Sequence, residues 1–268
     1  MASAGSGVQN GPDITPVHED PVRIVPLSLP DEVLRPVEGA APAVAPQLTY
    51  RGGPLLTNVQ VFTVFWGPAW ANPPTSDTAS QLNDFFDFIL QSALIDQLAE
   101  YSVSGKTIGH GKRIGTAVVT SPATRRTTSD TAIQHMLQHQ IATNGTFPQP
   151  SPDTLYFVYL PPGTAVVQGG DRSCQAFCGY HNDIKGQIFY AVMPYPGCNG
   201  CRGPLSEFDA LTATSSHELC EAITDPIPGQ GWYDDNNGEI GDICAWKIKQ
   251  VGNYQVQKEW SNSSNQCV

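Results

Sequence analysis

The feature that most constrains this chain is an alternation of strand-like and helix-like segments between Val59 and Asp225. Val59-Gln-Val-Phe-Thr-Val-Phe-Trp66 is rich in β-branched and aromatic residues, is closed by Gly67-Pro68, and reads as a strand. Between Thr78 and Glu100, the residues Leu82, Phe85, Phe86, Ile89, Leu90, Leu94 and Leu98 recur at three- and four-residue steps. That spacing predicts one amphipathic helix. A short strand is expected around Thr116 to Thr120. A second helix, capped by Thr128 or Ser129, should run to about Thr143 with Ile133, Met136, Leu137 and Ile141 on one face. Thr154 to Leu160 and Gln187 to Met193 read as strands stopped by prolines, with a Gly- and Cys-rich loop between them. A third helix should begin near Ser206, where Asp209 lies three positions on, close to a capping box, and should stop at Thr224-Asp225-Pro226. This order suits an α/β (α+β) fold, one mixed sheet with helices packed on it.

Residues 1–47 are rich in Pro, mostly acidic among their charges, free of Phe, Trp and Tyr, and without periodicity. They read as a leader, a propeptide or a disordered arm, and residues 48–268 as a single globular domain. Met1 to Asn10 carry no basic region followed by an apolar one, so no signal peptide is read there. The formal charge of −11, from 14 Lys plus Arg against 25 Asp plus Glu, excludes a phosphate-binding nucleic-acid protein. No apolar run reaches about 18 residues, so no membrane span is expected. The 7 Cys include Cys174 with Cys178 and the pair Cys198 and Cys201. Their Gly-rich setting favours disulfides over zinc, near neighbours are the expected partners, and the odd total leaves one unpaired. Asn144-Gly-Thr146 and Asn262-Ser-Ser264 fit the N-glycosylation pattern, a weak signal that agrees with an oxidising compartment.

The chemistry concentrates on the third helix, at His217-Glu218-Leu219-Cys220-Glu221. His217 and Glu221 are i and i+4 and share one helical face, with Glu218 beside them. In the H-E-x-x-H pattern of zinc peptidases, the i and i+4 residues hold Zn²⁺ and the intervening Glu accepts a proton from water. A carboxylate can replace the second imidazole. Glu239 or Asp242 is the expected third ligand, brought by a returning loop. The bland reading is a solvated His and two Glu on an exposed helix face. The acidic run Asp234 to Asp242 could also hold Ca²⁺ through oxygens, although Gly238 is one position early for an EF-hand. Asp225 reads as a cap or brace of the turn after the helix. Cys178 with His181 suggests a thiol–imidazole pair less well than a disulfide does, and His110 reads as a loop histidine.

Tyr50-Arg-Gly-Gly-Pro-Leu-Leu-Thr57, the Val59 to Trp66 strand, Phe177-Cys-Gly-Tyr-His181, Cys198-Asn-Gly-Cys201, Ser216 to Pro226, Trp232-Tyr233 and Gly238 to Cys244 occur in an order that resembles the Exordium, or phosphate-induced, protein family. The resemblance covers about residues 50–245 and includes the H-E-L-x-E helix. It implies an extracellular setting with cysteine bridges. Plant members tend to have Asn where Asp225 stands. The resulting expectation is a secreted, zincin-like metallopeptidase acting on a peptide or protein substrate. His217, Glu221 and Glu239 or Asp242 would hold zinc, Glu218 would act as general base, and Tyr233 or His181 would donate to the oxyanion. The alternatives are a non-enzymatic extracellular signalling or binding protein with a structural metal, and a carbohydrate hydrolase using Glu218 with a second carboxylate.

Overall fold

Alternate residues of the expected strands face opposite ways, and each side meets a different helix. The computed structural model describes residues 24–27 and 45–268. Its central sheet has six strands: β1 (Ile24–Pro26), β2 (Gln60–Trp66), β3 (Lys112–Val119), β4 (Thr154–Tyr159), β5 (Phe177–Ile184) and β6 (Ile188–Met193). Their order across the sheet is β1–β5–β6–β4–β2–β3. β3, β2, β4 and β6 run parallel, while β5 is antiparallel to both of its neighbours. Val61 and Phe65 of β2, with Leu155, Phe157 and Tyr159 of β4, join one core. Helix α1 (Thr75–Ile89) and a later helix, α3 (Glu207–Thr224), pack into that core. Phe62, Val64, Tyr156 and Val158 point the other way and pack on α2 (Asp130–Thr143). The two-residue side-chain period thus gives a sheet covered on both faces, as a mostly parallel sheet requires.

Ser129 caps α2 and Ser206 caps α3, each accepting a backbone N–H three residues on. Ser206 Oγ also donates to the Asp209 carboxylate at 2.7 Å. Ser206→Ala is expected to cost about 1 kcal/mol. In thermal melts that is a drop of roughly 2–4 °C, and an unchanged midpoint would contradict the cap.

Three expectations are corrected. The helix expected over 78–100 ends at Ile89, and a new turn, Ala93–Asp96, follows. Ser92 causes the restart, because its hydroxyl accepts the Leu94 N–H at 3.2 Å and competes with helix continuation. Leu90, Leu94 and Leu98 stay fully buried, so the periodicity reported burial and not continuity. Second, the Gly- and Cys-rich loop contains β5. Gly179, Asn182 and Asp183 depress strand propensity. The hairpin to β6 overrides them, turning at Lys185 (φ 55) and Gly186 (φ 67). Third, the cysteines do not pair with near neighbours. Cys174 bonds Cys198, Cys178 bonds Cys201, and Cys244 bonds Cys267. The short helix Asn199–Arg202 lies against the start of β5 and presents Cys198 and Cys201 to the two cysteines there. Cys220 is the unpaired thiol and is buried.

Most of the proline-rich leader lies outside the described residues. Its segment Ile24–Pro26 adds to the free edge of β5, with Ile24 opposite Tyr180 and Pro26 opposite Phe177. Val25 is buried against Cys178 and Cys201, and Trp246 Nε1 donates to the Pro26 carbonyl at 2.9 Å. No helix among the described residues is long and apolar enough to cross a membrane.

Candidate metal centre

Helix α3 is sandwiched between the sheet strands β5 and β6 and a C-terminal hairpin, β7 (Ile248–Val251) with β8 (Tyr254–Gln257). Every residue from Ala210 to Thr224 is buried as a result. The polar side chains on this helix are matched locally. Ser215 Oγ meets Tyr159 Oη at 2.7 Å, Ser216 Oγ accepts the Gln257 N–H at 2.9 Å, and Thr212 Oγ1 donates to the Gln255 carbonyl at 2.7 Å. The solvated-face reading of His217, Glu218 and Glu221 is therefore overturned, since each is at most 1% exposed.

Three elements bring the cluster together. Helix α3 supplies His217, Glu218 and Glu221 from successive turns. β5 supplies His181 on the same face as Gly179, where an added Cβ would lie 2.7 Å from Thr214 Cγ2 and 3.2 Å from Glu218 Oε1. Tyr180, between them, points to the opposite face and donates to Asp130 at 2.7 Å. The loop 239–242 supplies Glu239 and Asp242. It is held by Trp260 N–H to the Ile240 carbonyl at 3.1 Å and Gln257 Nε2 to the Gly241 carbonyl at 2.8 Å. Gly241 sits directly against the cluster, because a Cβ there would meet His217 Nδ1 at 2.7 Å and Glu221 Oε1 at 2.9 Å.

The contacts are dense. His217 Nε2 lies 2.9 Å from Glu221 Oε1, which also accepts the Asp242 N–H at 3.1 Å. His181 Nδ1 lies 3.1 Å from Glu218 Oε2 and 3.5 Å from Glu221 Oε2. His181 Nε2 lies 3.0 Å from the Asp225 carbonyl oxygen and 3.4 Å from Glu239 Oε1. Among the described ion pairs, only histidines face these carboxylates. Among the described residues, both Glu239 oxygens, Glu218 Oε1 and both His217 nitrogens are buried with no well-aligned hydrogen-bond partner. Burial pushes the Glu239 carboxyl well above the usual range and raises Glu218. Burial would raise Glu221 too, but the His217 and His181 imidazoles hold it down to about 2.

Two histidines face more carboxylates than they can balance, and buried charge left uncompensated is costly, so a divalent ion is one way to neutralise it. Two groups of ligand atoms lie within 4.8 Å of one another: His217 with Glu221 and Asp242, and His181 with Glu221 and Glu239. Imidazole nitrogen and carboxylate oxygen are donors that suit Zn²⁺ and its neighbours among the divalent metals. Gly241→Ala, which fills the space against both His217 and Glu221, is expected to weaken divalent-metal binding by about 10–100-fold. Equilibrium dialysis measures this, and unchanged affinity would remove the cluster from metal binding.

The other sequence candidates have partners of their own. Tyr233 pairs with Thr49 in a small ladder, and the Arg51 guanidinium stacks 4.3 Å from its ring centroid. Asp225 braces the turn, its carboxylate accepting the N–H groups of Gly229, Gln230 and Gly231 at 2.6, 3.0 and 2.5 Å. In the acidic run, the Asp234 carboxylate is taken up by the N–H groups of Gln47, Asn236 and Asn237 and the Asn237 amide. Cys178 is disulfide-bonded and cannot be a thiolate partner of His181, and His110 is an exposed loop residue paired with Asp96 at 2.8 Å. Sequence reasoning missed Glu259. It is fully buried, with both carboxylate oxygens lacking hydrogen-bond partners, and it lies within electrostatic reach of His217, Glu221 and Lys249. The surrounding Lys258-Glu259-Trp260 carries no motif that could have flagged it. No protein-family model matches the chain, and no curated protein matches it.

Proposed function

We propose that the chain is an extracellular, Exordium-like and zincin-like metallohydrolase, with the peptide bond as its target. One observation carries the reading: His217, Glu218 and Glu221 of the H-E-x-x-E helix are buried beside Glu239, Asp242 and His181. The zincin-like reading is supported by this helix packing under a mixed sheet beside its antiparallel strand. The three disulfides are compatible with secretion.

His217 and Glu221, with Asp242 or Glu239, would hold the ion. A bound divalent ion such as Zn²⁺ would polarise a carbonyl and acidify a water molecule. Glu218 projects from the turn between His217 and Glu221, next to Glu221, and it has one oxygen with no hydrogen-bond partner. As general base it takes a proton from water while the water oxygen bonds to the peptide carbonyl carbon. It then delivers that proton to the amide nitrogen as the C–N bond breaks. His181, 3.1 Å from Glu218, positions that carboxylate. The strand Ile24–Pro26 covers the β5 edge one position from His181, which suits a leader that keeps the enzyme latent.

A second reading is a non-enzymatic extracellular protein with a structural metal, and the completeness of the burial favours it. Metal analysis with a broad peptide screen, on the full chain and after removal of residues 1–47, separates the two. The expected result is stoichiometric metal, and hydrolysis that a strong chelator abolishes and Zn²⁺ restores. Protein without stoichiometric metal, or hydrolysis indifferent to chelation, would overturn the metallohydrolase. Stoichiometric metal with no hydrolysis in either form would leave the structural reading.

A further inference from the structure

The donors around Glu221 divide into two groups. His217 and Asp242 lie on one side of it, His181 and Glu239 on the other, and no group among the described residues joins both histidines. Each imidazole thus has its own carboxylate, and Glu221 is common to the two sets.

The orientation of Glu221 matches this division. Its Oε1 lies 2.9 Å from His217 Nε2, and its Oε2 lies 3.5 Å from His181 Nδ1. One oxygen turned to each histidine is the arrangement of a bridging carboxylate. In two-metal hydrolytic sites the ions sit about 3.5–4 Å apart, a gap that a single carboxylate spans.

The placement of His181 suits a ligand role on its side. Nε2 is 3.0 Å from the Asp225 carbonyl oxygen, which can only accept, so Nε2 carries a proton. Nδ1 faces two carboxylates, Glu218 Oε2 at 3.1 Å and Glu221 Oε2 at 3.5 Å, and would ligate an ion on giving up the proton it shares with them. A metal-ligating imidazole commonly donates its other N–H to a backbone carbonyl in this way. Unpartnered buried atoms occur on both sides: His217 Nε2 on one, and both Glu239 oxygens on the other. A single ion at His217 would leave Glu239 buried with no hydrogen-bond donor among the described residues, where His181 is the one ion-pair partner it has.

We infer that Glu221 bridges two divalent cations, one held by His217 and Asp242 and the other by His181 and Glu239. The inference rests on the metal-dependent reading above and deepens it from one ion to two. It also assigns His181 Nδ1 to binding a metal, in place of oxyanion donation and of the contact that positions Glu218.

The test is metal stoichiometry of the full disulfide-bonded chain, equilibrated with Zn²⁺ and measured by native mass spectrometry and elemental analysis. Two ions per chain are expected, with His181→Ala and His217→Ala each retaining one. With Co²⁺ in place of Zn²⁺, the doubly loaded chain should give an electron paramagnetic resonance signal attenuated by spin coupling. The singly loaded variants should give the full signal of an isolated ion. One ion per chain in the wild type would overturn the bridge and leave the metallohydrolase standing, whereas none would overturn both. The wild-type measurement decides the matter even if a histidine variant fails to fold.

Discussion

Glu218→Gln is expected to lower kcat/KM for peptide hydrolysis by about 10²–10⁴-fold, the usual contribution of a positioned acid–base group. The substitution keeps the size and shape of the side chain and removes its charge and its ability to accept and return a proton. Glu218 is fully buried between His181 and the Glu221 face of its own helix, so glutamine should occupy the same place. Metal content should therefore be unchanged, and that second measurement separates lost proton transfer from a lost site. A variant that hydrolyses like the wild type with its metal intact would exclude Glu218 as the base and favour a structural metal.

Asp225→Ala is expected to be the most destabilising single change near the centre. Its carboxylate accepts three backbone N–H groups, from Gly229, Gln230 and Gly231, and its own carbonyl accepts from His181 Nε2 at 3.0 Å. Alanine removes the carboxylate and leaves its three N–H donors behind, while the backbone carbonyl stays. Gly231 is buried and cannot turn to water, while Gln230 is exposed. The loss should be about 2–4 kcal/mol, between one and three unsatisfied donors. For a domain of this size that is roughly a 10 °C fall in the thermal midpoint. Asp225→Asn keeps the carbonyl oxygen as an acceptor and should recover at least half of the loss. A midpoint for Asp225→Ala within a degree of wild type would show that the turn does not need its brace.

The sequence was most informative where a single local rule operated. The strands at β2, β4 and β6 were legible because their β-branched and aromatic runs are terminated by proline or glycine. The Ser206 and Ser129 caps were legible because capping depends on a hydroxyl at a fixed offset. The i, i+4 face carrying His217 and Glu221 follows from helical geometry alone. β5 was not legible, because Gly179, Asn182 and Asp183 are poor strand formers and its pairing with β6 and β1 is a tertiary contact. The disulfides failed for a similar reason: proximity along the chain does not decide which sulfurs meet once a strand and a short helix set the angle between them.

The residues by themselves determined the sheet-and-helix class, the helix that carries the H-E-x-x-E pattern, and the presence of enough carboxylates to build a metal site. They did not determine whether that helix would face water. Only the tertiary structure placed α3 between the sheet and the C-terminal hairpin, which took His217, Glu218 and Glu221 out of solvent. Only the tertiary structure brought His181 from an unforeseen strand to within 3.5 Å of Glu221, and Glu259 into electrostatic reach of His217. The physical reason is desolvation. A carboxylate on an exposed helix is an ordinary solvated charge, while the same group buried among other carboxylates is costly until a proton or a metal ion joins it.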